Sequence, residues 1–223
     1  MPRDDNSAEY LQERHLRSKS LGGLALALAN PPPPPPLNSI LIIGGSSGVG
    51  ASAIQLLRLT LPAAKIITTN SPVHDKRLIS LGASVCVDRN QPVQKVIAAV
   101  KTASPAGRGV DAILDAVSGA GEERALFDAL KKDGPSLYTN VFTGKEVEAP
   151  EGVEATKVFA HMMFVTPDPE GASAMARLVD LVEEGKYKLP LEIEVVGRGL
   201  DEIGAGLEKL RGGVSGSKLV VGL

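Results

Sequence analysis

From Leu37 onward, the chain alternates between short apolar runs and stretches whose apolar residues recur with helical spacing. The apolar runs predict strands near residues 39–43, 65–69, 84–87, 110–115 and 136–141. The intervening stretches predict helices near residues 49–60, 73–81, 92–102 and 121–131. This alternation predicts an α/β fold, a doubly wound parallel sheet with right-handed crossovers. Farther on, the pattern predicts another strand at Val158–Val165, helices near 170–184 and 200–211, and a last short strand at Lys218–Leu223.

The most informative stretch is the turn between the first predicted strand and the first predicted helix. It follows the apolar run Ile40–Ile43 and carries four glycines, Gly44, Gly45, Gly48 and Gly50. A strand, a glycine turn and a helix together place backbone N–H groups and the positive end of the helix dipole against a pyrophosphate. Glycine allows the tight turn and the close approach of the phosphate. We therefore predict a dinucleotide-binding turn, with a tight turn that holds no ligand as the competing interpretation.

Two glycine spacings overlap in this turn. The pattern G-x-S-x-x-G over Gly45–Gly50 is a variant of the dinucleotide fingerprint in which serine replaces the middle glycine. The pattern G-x-x-x-G-x-G, which begins at Gly44, resembles the short-chain dehydrogenases. Those enzymes need a Tyr-x-x-x-Lys pair, in which the lysine activates the tyrosine as a proton donor. No lysine lies four residues after any of the three tyrosines, Tyr10, Tyr138 and Tyr187, so the first pattern is favoured.

The composition narrows the classes of partner and site. The 223 residues carry a net charge of −2, which gives no reason to expect nucleic acid or an anionic membrane as a partner. Aromatic residues make up only 3%, so aliphatic side chains must fill the core, as they do in parallel sheets. The single cysteine, Cys86, lies in an apolar run and is interpreted as a small buried side chain. The histidines, His15, His74 and His161, have no ligand-spaced neighbours, so we predict no metal site.

The first 36 residues differ in character from the rest of the chain. Residues 1–20 are polar with mixed charge, which predicts a disordered tail. Leu21–Ala29 predicts a short helix; it is too short to cross a bilayer and has no cleavage-site context, so a cytoplasmic location is expected. Pro31–Pro36 predicts a polyproline II linker, with a ligand for an SH3-type domain as the less favoured alternative. The predicted organisation is therefore a tail (1–20), a helix with its linker (21–36), and a Rossmann-type dinucleotide-binding domain with a C-terminal helix–strand segment (37–223).

The end of the second predicted strand bears on the choice between NAD and NADP. Folds that prefer NAD usually place an acid there to bind the ribose hydroxyls, but Asn70 and Ser71 occupy this place. Lys76 and Arg89 supply positive charge for a 2′-phosphate, and Ser71 supplies a hydroxyl. The tripeptide Asp75–Arg77 leaves two alternatives open. Its aspartate is a competing acid, although it lies within the helix and not at the strand end, and at least one of its two cations is expected on a solvated helix face. The pattern favours NADPH.

Several motifs resemble the cofactor domain of the medium-chain dehydrogenases/reductases. These motifs are Ile40–Leu57, Ser71–Ala83 and Gly109–Asp115. Three C-terminal motifs are similar to the fungal zinc-independent enoyl reductases that act in trans on polyketide synthases, often called ToxD-like. They are Leu181–Pro190, Glu194–Leu200 and Gly206–Val221. The resemblance extends from about Leu21 to the end of the chain.

The resemblance implies a cofactor, a reaction and a set of site residues. The pyrophosphate would be held by Gly45, Ser46, Ser47, Gly48, Val49 and Gly50, and the adenosine phosphate by Ser71, Lys76 and Arg89. The nicotinamide would lie beside Asp115, Val117, Val141 and Thr143. Such enzymes transfer a hydride from NADPH to the β-carbon of an enoyl thioester in secondary metabolism. The implied substrate is a small-molecule or carrier-bound acyl group, and the implied partner is a polyketide synthase.

The sequence departs from this group of enzymes at its N-terminal side. Members begin with a β-rich, GroES-like substrate domain, whereas the glycine turn here starts at residue 44 and leaves no room for one. A polar head of 20 residues cannot fold into a substitute. The last strand, Lys218–Leu223, normally returns to that domain and is expected to lack a partner. Binding of NADPH is therefore better supported than catalysis, because the active cleft lies at a domain interface.

Two functions remain open from the sequence. The first is an oxidoreductase of the enoyl reductase type, either intact in its chemistry or complemented by a partner. The second is a non-catalytic remnant that binds a nucleotide or dimerises through the apolar edge Val158–Val165. Tyr138 and His161 are the available proton donors, but each is interpreted as a packed residue, and the catalytic residue is left unassigned.

Overall fold

A computed structural model describes three ranges of the chain, residues 37–134, 136–159 and 169–223, without the side chains of residues 169–173. The predicted tail, the predicted N-terminal helix and the proline linker lie outside these ranges. Within the described residues, no helix is both long and apolar enough to cross a membrane.

Six parallel strands form the main sheet in the order β3-β2-β1-β4-β5-β6. The strands are β1 (Ser39–Ile43), β2 (Lys65–Asn70), β3 (Val85–Asp88), β4 (Ala112–Asp115), β5 (Leu137–Val141) and β6 (Glu154–Val158). At the end of β1, Ile43 is paired with Thr69 on one side and Asp115 on the other. The strand order reverses between β1 and β4, which opens the crevice where ligands bind in such sheets. The predicted doubly wound parallel sheet is confirmed.

The α-helices are α1 (Gly48–Thr60), α2 (Asp75–Leu81), α3 (Val93–Ala103), α4 (Gly119–Glu122), α5 (Pro169–Glu183) and α6 (Ile203–Arg211). Of these, α1, α2 and α3 cover the two faces of the main sheet. Ile42 and Ile66 pack with α1 and α2, whereas their neighbours Leu41 and Ile67 pack with α3. Successive strand residues point to opposite faces, so strands that are buried on both sides read as continuous apolar runs.

The predicted helix over residues 121–131 is wrong in form. The chain instead makes the short helix α4 and then a 3-10 helix over Arg124–Ala129. The helix breaks at Glu123, whose φ and ψ are −129° and 84°, and the two glycines of α4 lower its helix propensity. The 3-10 segment buries Phe127, whose ring meets Tyr138 edge-to-face with 4.8 Å between the ring centroids. Core packing therefore overrides the helical spacing here.

The strand at the open edge of the sheet lies earlier than predicted. β6 pairs with β5, whereas the predicted run Val158–Val165 begins where β6 ends. The rest of that run lies outside the described residues, and the dimer predicted through it stays a prediction. The polar side chains of β6 hid the strand in the sequence, and such side chains suit an edge.

A second, two-stranded sheet lies in the C-terminal part of the chain. Its strands are β7 (Glu192–Arg198) and β8 (Ser217–Gly222), which pair in parallel. Helix α6 packs on this sheet, and a methyl group on Gly206 of α6 would lie 3.1 Å from Val196 and 3.8 Å from Val221. The expectation that the last strand lacks a partner is therefore wrong. We call β7, α6 and β8 the C-terminal unit.

Candidate dinucleotide-binding site

The glycine turn joins β1 to α1 at the carboxyl edge of the main sheet. Gly44 has a φ of +80°, a conformation that glycine adopts without steric cost. A methyl group on Gly45 would overlap Thr68 Oγ1, and one on Gly50 would overlap the Gly44 carbonyl and lie 2.8 Å from Gly45 Cα. Ser46 is half-buried between them. The turn therefore has the close backbone packing that a dinucleotide cradle needs, and the residues present fit such a cofactor.

The start of α1 offers two backbone amides to an anion. The Ser47 hydroxyl accepts a hydrogen bond from the Gly50 amide at 3.0 Å, and the Ser47 amide donates to the Gly44 carbonyl at 3.0 Å. The amides of Gly48 and Val49, in the first helical turn, have no intrahelical acceptor and lie at the positive end of the helix dipole. These two amides suit a pyrophosphate. The Ser47 hydroxyl and the Gly50 amide already bond to each other. The phosphate contacts predicted for these two residues stay predictions.

Asp115, the last residue of β4, is completely buried and accepts four hydrogen bonds. The donors are the amides of Val117 (3.2 Å), Gly119 (2.9 Å) and Ala120 (2.8 Å) and the hydroxyl of Tyr138 (3.1 Å). The carboxylate thus caps α4 and fixes the loop before it. Burial, and then the charge of Asp115, raise the pKa of Tyr138 above its usual value, so the phenol remains a donor. Tyr138 is confirmed as a core residue, and the predicted nicotinamide contact of Asp115 stays a prediction.

The loops after β1, β4 and β5 form one continuous rim. Val117 lies against the glycine turn, because a methyl group on Gly44 would be 2.7 Å from Val117 Cγ1. Ser118 has a φ of +57°, and its hydroxyl lies 2.7 Å from that of Thr143. A left-handed serine is strained by roughly 1 kcal/mol or more, so this hydrogen bond helps to hold the loop. Val141 ends β5 two residues before Thr143. The structure therefore places Val117 against the turn and joins the loop after β4 to the loop after β5 at Thr143.

The residues predicted to bind the adenosine phosphate surround the end of β2. Asn70 is buried there; its Nδ2 donates to the Asp75 carboxylate at 2.7 Å, and its carbonyl accepts from the Arg89 amide at 3.0 Å. Ser71 follows and is half-buried, whereas the side chains of Lys76 and Arg89 are exposed. The Arg89 backbone thus lies at the end of β2 beside Ser71, and Lys76 follows the Asp75 that Asn70 contacts. The competing acid, Asp75, is held by Asn70.

Two buried side-chain atoms at the carboxyl edge have no hydrogen-bond partner within the described part of the chain, Asn70 Oδ1 and Asn140 Nδ2. Asn140 lies on β5 directly beside Asp115. An unpaired buried polar group costs about 1–3 kcal/mol, so a ligand or an ordered water that reached either atom would be stabilised. Sequence reasoning missed Asn140, because an asparagine near a strand end is also an ordinary turn signal.

The described residues offer neither a cluster of metal ligands nor a reactive thiol at this site. In the ranges that the structure describes, no three His, Cys, Asp or Glu side chains cluster so that they could hold a metal ion. Cys86 is half-buried, and burial, followed by the charge of Asp75, raises its pKa to about 11. The thiol therefore stays protonated and unreactive at neutral pH.

The chain is similar to known dehydrogenases and reductases. A family model described as zinc-binding dehydrogenase matches residues 81–221. Dehydrogenase orsE of Emericella nidulans is 32% identical over 205 residues, which cover 89% of this chain and 56% of that protein. Trans-enoyl reductase mycC of Thermothelomyces thermophilus is 29% identical, and the match covers 93% of this chain and 58% of that protein. The chain thus spans little more than half the length of these relatives.

A solved structure shares the fold. The crystal structure of CurK enoyl reductase superposes with a TM-score of 0.68 at 20% identity, over 93% of this chain and 59% of that one. The family model covers more than half of this chain. The resemblance of the chain's motifs to the medium-chain dehydrogenases/reductases is therefore confirmed. The chain belongs to the zinc-binding dehydrogenase family, within the medium-chain dehydrogenases/reductases.

Proposed function

We propose that this chain binds NADPH and is the cofactor-binding part of an oxidoreductase that reduces an enoyl thioester in fungal secondary metabolism. The observation that carries the proposal is the glycine turn. It excludes any Cβ at Gly45 and Gly50, and it presents the amides of Gly48 and Val49 at the positive end of α1. The names of the fungal relatives, dehydrogenases and trans-enoyl reductases, support the class of reaction.

The preference for NADPH is supported by the charges at the end of β2. An acid that selects NAD usually lies at the end of the second strand, where this chain has Asn70 and Ser71, whereas Asp75 lies in α2. Lys76 and Arg89 are exposed beside Ser71. Two cations and a hydroxyl suit a 2′-phosphate better than a neutral hydroxyl pair.

The proposed reaction divides its tasks between cofactor, solvent and protein. When bound, the reduced nicotinamide supplies a hydride to the β-carbon of the alkene, and water supplies the proton for the α-carbon. The protein contributes a fixed rim, in which the Ser118–Thr143 hydrogen bond and the Asp115 cap hold the loops where we place the nicotinamide. A carrier-bound acyl chain and a polyketide synthase partner are proposed from the names of the trans-enoyl reductase relatives.

A second candidate function is a dinucleotide-binding module with no turnover of its own. The observation that favours it concerns the proton donors. Tyr138 is buried and its hydroxyl is directed at Asp115, so it does not reach a substrate. The other predicted donor, His161, lies outside the described residues and favours neither candidate. The two candidates share cofactor binding and differ only in hydride transfer.

Titration and turnover assays test the proposal together. We expect the chain to bind NADPH more tightly than NADH, and we expect the double variant Lys76→Ala, Arg89→Ala to lose this preference. Lys95→Ala, which removes an exposed lysine on α3, is the matched control and should keep it. Oxidation of NADPH on addition of an enoyl thioester supports the reductase, whereas binding without oxidation supports the non-catalytic module. If neither dinucleotide binds, both candidates fail.

A further inference from the structure

The segment between α5 and β7 runs along the outside of α1 as a strap, which we define as residues 187–191. The Tyr187 hydroxyl donates to Ser52 Oγ at 2.7 Å. Gln55, which is only 5% exposed, holds the backbone of Lys188 with both atoms of its amide. Its Oε1 accepts from the Lys188 amide at 2.8 Å, and its Nε2 donates to the Lys188 carbonyl at 3.0 Å. The strap is therefore anchored on α1 at two successive residues.

Arg77 of α2 holds the next part of the strap. Its Nη2 donates to the carbonyls of Leu189, at 3.3 Å, and of Pro190, and its Nε lies 4.0 Å from the carboxylate of Glu192, where β7 begins. The Arg77 side chain is 18% exposed, whereas its neighbour Lys76 faces solvent. Arg77 is therefore not part of a solvated face but a link from α2 to the strap and to β7.

The strap and the C-terminal unit reach the proposed cofactor site at two points. A methyl group on Gly48 would lie 3.7 Å from Leu191 Cδ1, so the Leu191 side chain lies near an amide proposed to bind the pyrophosphate. At the other end of the site, the loop before β8 reaches His74, whose Nε2 is 2.9 Å from Ser215 Oγ. His74 lies three residues after Ser71, which is proposed to bind the adenosine phosphate. The strap thus borders the site at its pyrophosphate end, and the C-terminal unit borders it at its adenosine end.

We propose that Arg77 is a positioning residue for dinucleotide binding, which acts through the strap to hold Leu191 at the glycine turn and the C-terminal unit along the cofactor site. Without the guanidinium, two strap carbonyls lose a charged donor, and Leu191 is no longer held against Gly48. Because coupling between two equilibria is reciprocal, bound cofactor must in turn order the C-terminal unit. This inference rests on the proposed function for the identity of the ligand.

The affinities of two cofactors separate this role from that of the neighbouring lysine. We expect Arg77→Ala to weaken binding of NADPH and of NADH by the same factor, about tenfold for the loss of a charge-assisted hydrogen bond. The preference between the two cofactors should remain. Lys76→Ala is the adjacent control and should weaken NADPH binding alone. Arg77→Lys, which keeps one donor, should be intermediate, and Tyr187→Phe, which removes a different strap contact, should weaken both cofactors to a smaller extent.

Hydrogen exchange supplies a readout that a general loss of stability would not produce. In the wild-type chain, NADPH should slow amide exchange in β7 and β8. In Arg77→Ala at saturating NADPH, this slowing should disappear, while the amides of β1 and β4 keep their protection and show that the sheet is intact. The inference is overturned if Arg77→Ala binds both cofactors as the wild type does, or if its β7 and β8 amides still respond fully to NADPH. Absence of binding to the wild type overturns the proposed function as well.

Discussion

The substitution Gly50→Ala tests the structural basis of the glycine turn. The added methyl group would overlap the carbonyl of Gly44 and lie 2.8 Å from Gly45 Cα. Both are backbone atoms, so no side-chain rotation relieves the contact and the turn itself must open. Gly48→Ala is a matched control for stability two residues away, because its methyl group would meet only the Leu191 side chain, at ordinary distances of 3.7 and 4.0 Å.

The expected magnitude follows from two opposing effects. Overpacking a tight contact costs about 1–3 kcal/mol, and a clash with backbone atoms belongs at the upper end of that range. Alanine in place of glycine inside a helix returns about 1 kcal/mol. We therefore expect Gly50→Ala to lower the free energy of unfolding by roughly 2 kcal/mol. We expect Gly48→Ala to be neutral or stabilising.

The assays are urea unfolding followed by circular dichroism and titration with NADPH. An opened turn also moves the amides of Gly48 and Val49, so Gly50→Ala should weaken NADPH binding at least about tenfold, a change of 1.4 kcal/mol. Gly48→Ala is a control for stability alone, because its amide is proposed to bind the pyrophosphate. If Gly50→Ala unfolds at the same urea concentration as Gly48→Ala and binds NADPH as well as the wild type does, the close packing of the turn is not what shapes the site.

Two further predictions concern buried carboxylates. Asp115→Asn puts an amide nitrogen where an oxygen accepts two donors, so it should cost about 2–5 kcal/mol of unfolding free energy. Tyr138→Phe removes one of the four donors and should cost less, about 1.5 kcal/mol for a hydrogen bond to a charged acceptor. Equal losses in urea unfolding would contradict the cap. The second carboxylate is that of Asp111. Burial alone raises its pKa, but hydrogen bonds from Lys131 and from the amides of residues 38–39 outweigh burial and hold the pKa of Asp111 below its usual value. The pKa of Asp111 in the folded chain thus lies below the unfolded value of about 3.9. The ionised carboxylate therefore stabilises the fold above that pH, and this stabilisation is lost as the pH falls through the folded pKa. Asp111→Asn should therefore be less stable than wild type at neutral pH, and urea titrations below about pH 4 should show the difference shrinking; a difference that does not vary with pH would refute this.

The central strands of the main sheet, β1, β2 and β4, were predictable because they are buried on both faces. Such strands read as unbroken apolar runs, and Ile40–Ile43 is one example, buried throughout. β7 was missed for the opposite reason. It carries charged residues at both ends and in its interior, as in Glu192, Glu194 and Arg198, because much of it is exposed. Local pattern therefore located the strands that are buried on both faces and missed the exposed strand β7.

The site residues divide along a similar line. The glycine turn could be located because its letters report a backbone geometry that only glycine tolerates. The different roles of Lys76 and Arg77 could not be predicted, because a hydrogen-bond partner of Arg77 lies 112 residues farther along the chain. The carboxylate of Asp115 was placed at the right strand end, but its direction depends on a loop that folds back onto it. Long-range contacts and loop conformation are therefore the features that could not be predicted from the sequence.

The central claim is that the amides of Gly48 and Val49 bind the pyrophosphate of NADPH. Amide chemical shifts of the isotope-labelled chain, recorded during titration with NADPH, test it most directly. We predict that the resonances of these two amides shift saturably, with the same Kd that NADPH fluorescence gives. If they stay unchanged while NADPH binds elsewhere, or if no resonance responds saturably, the claim is contradicted.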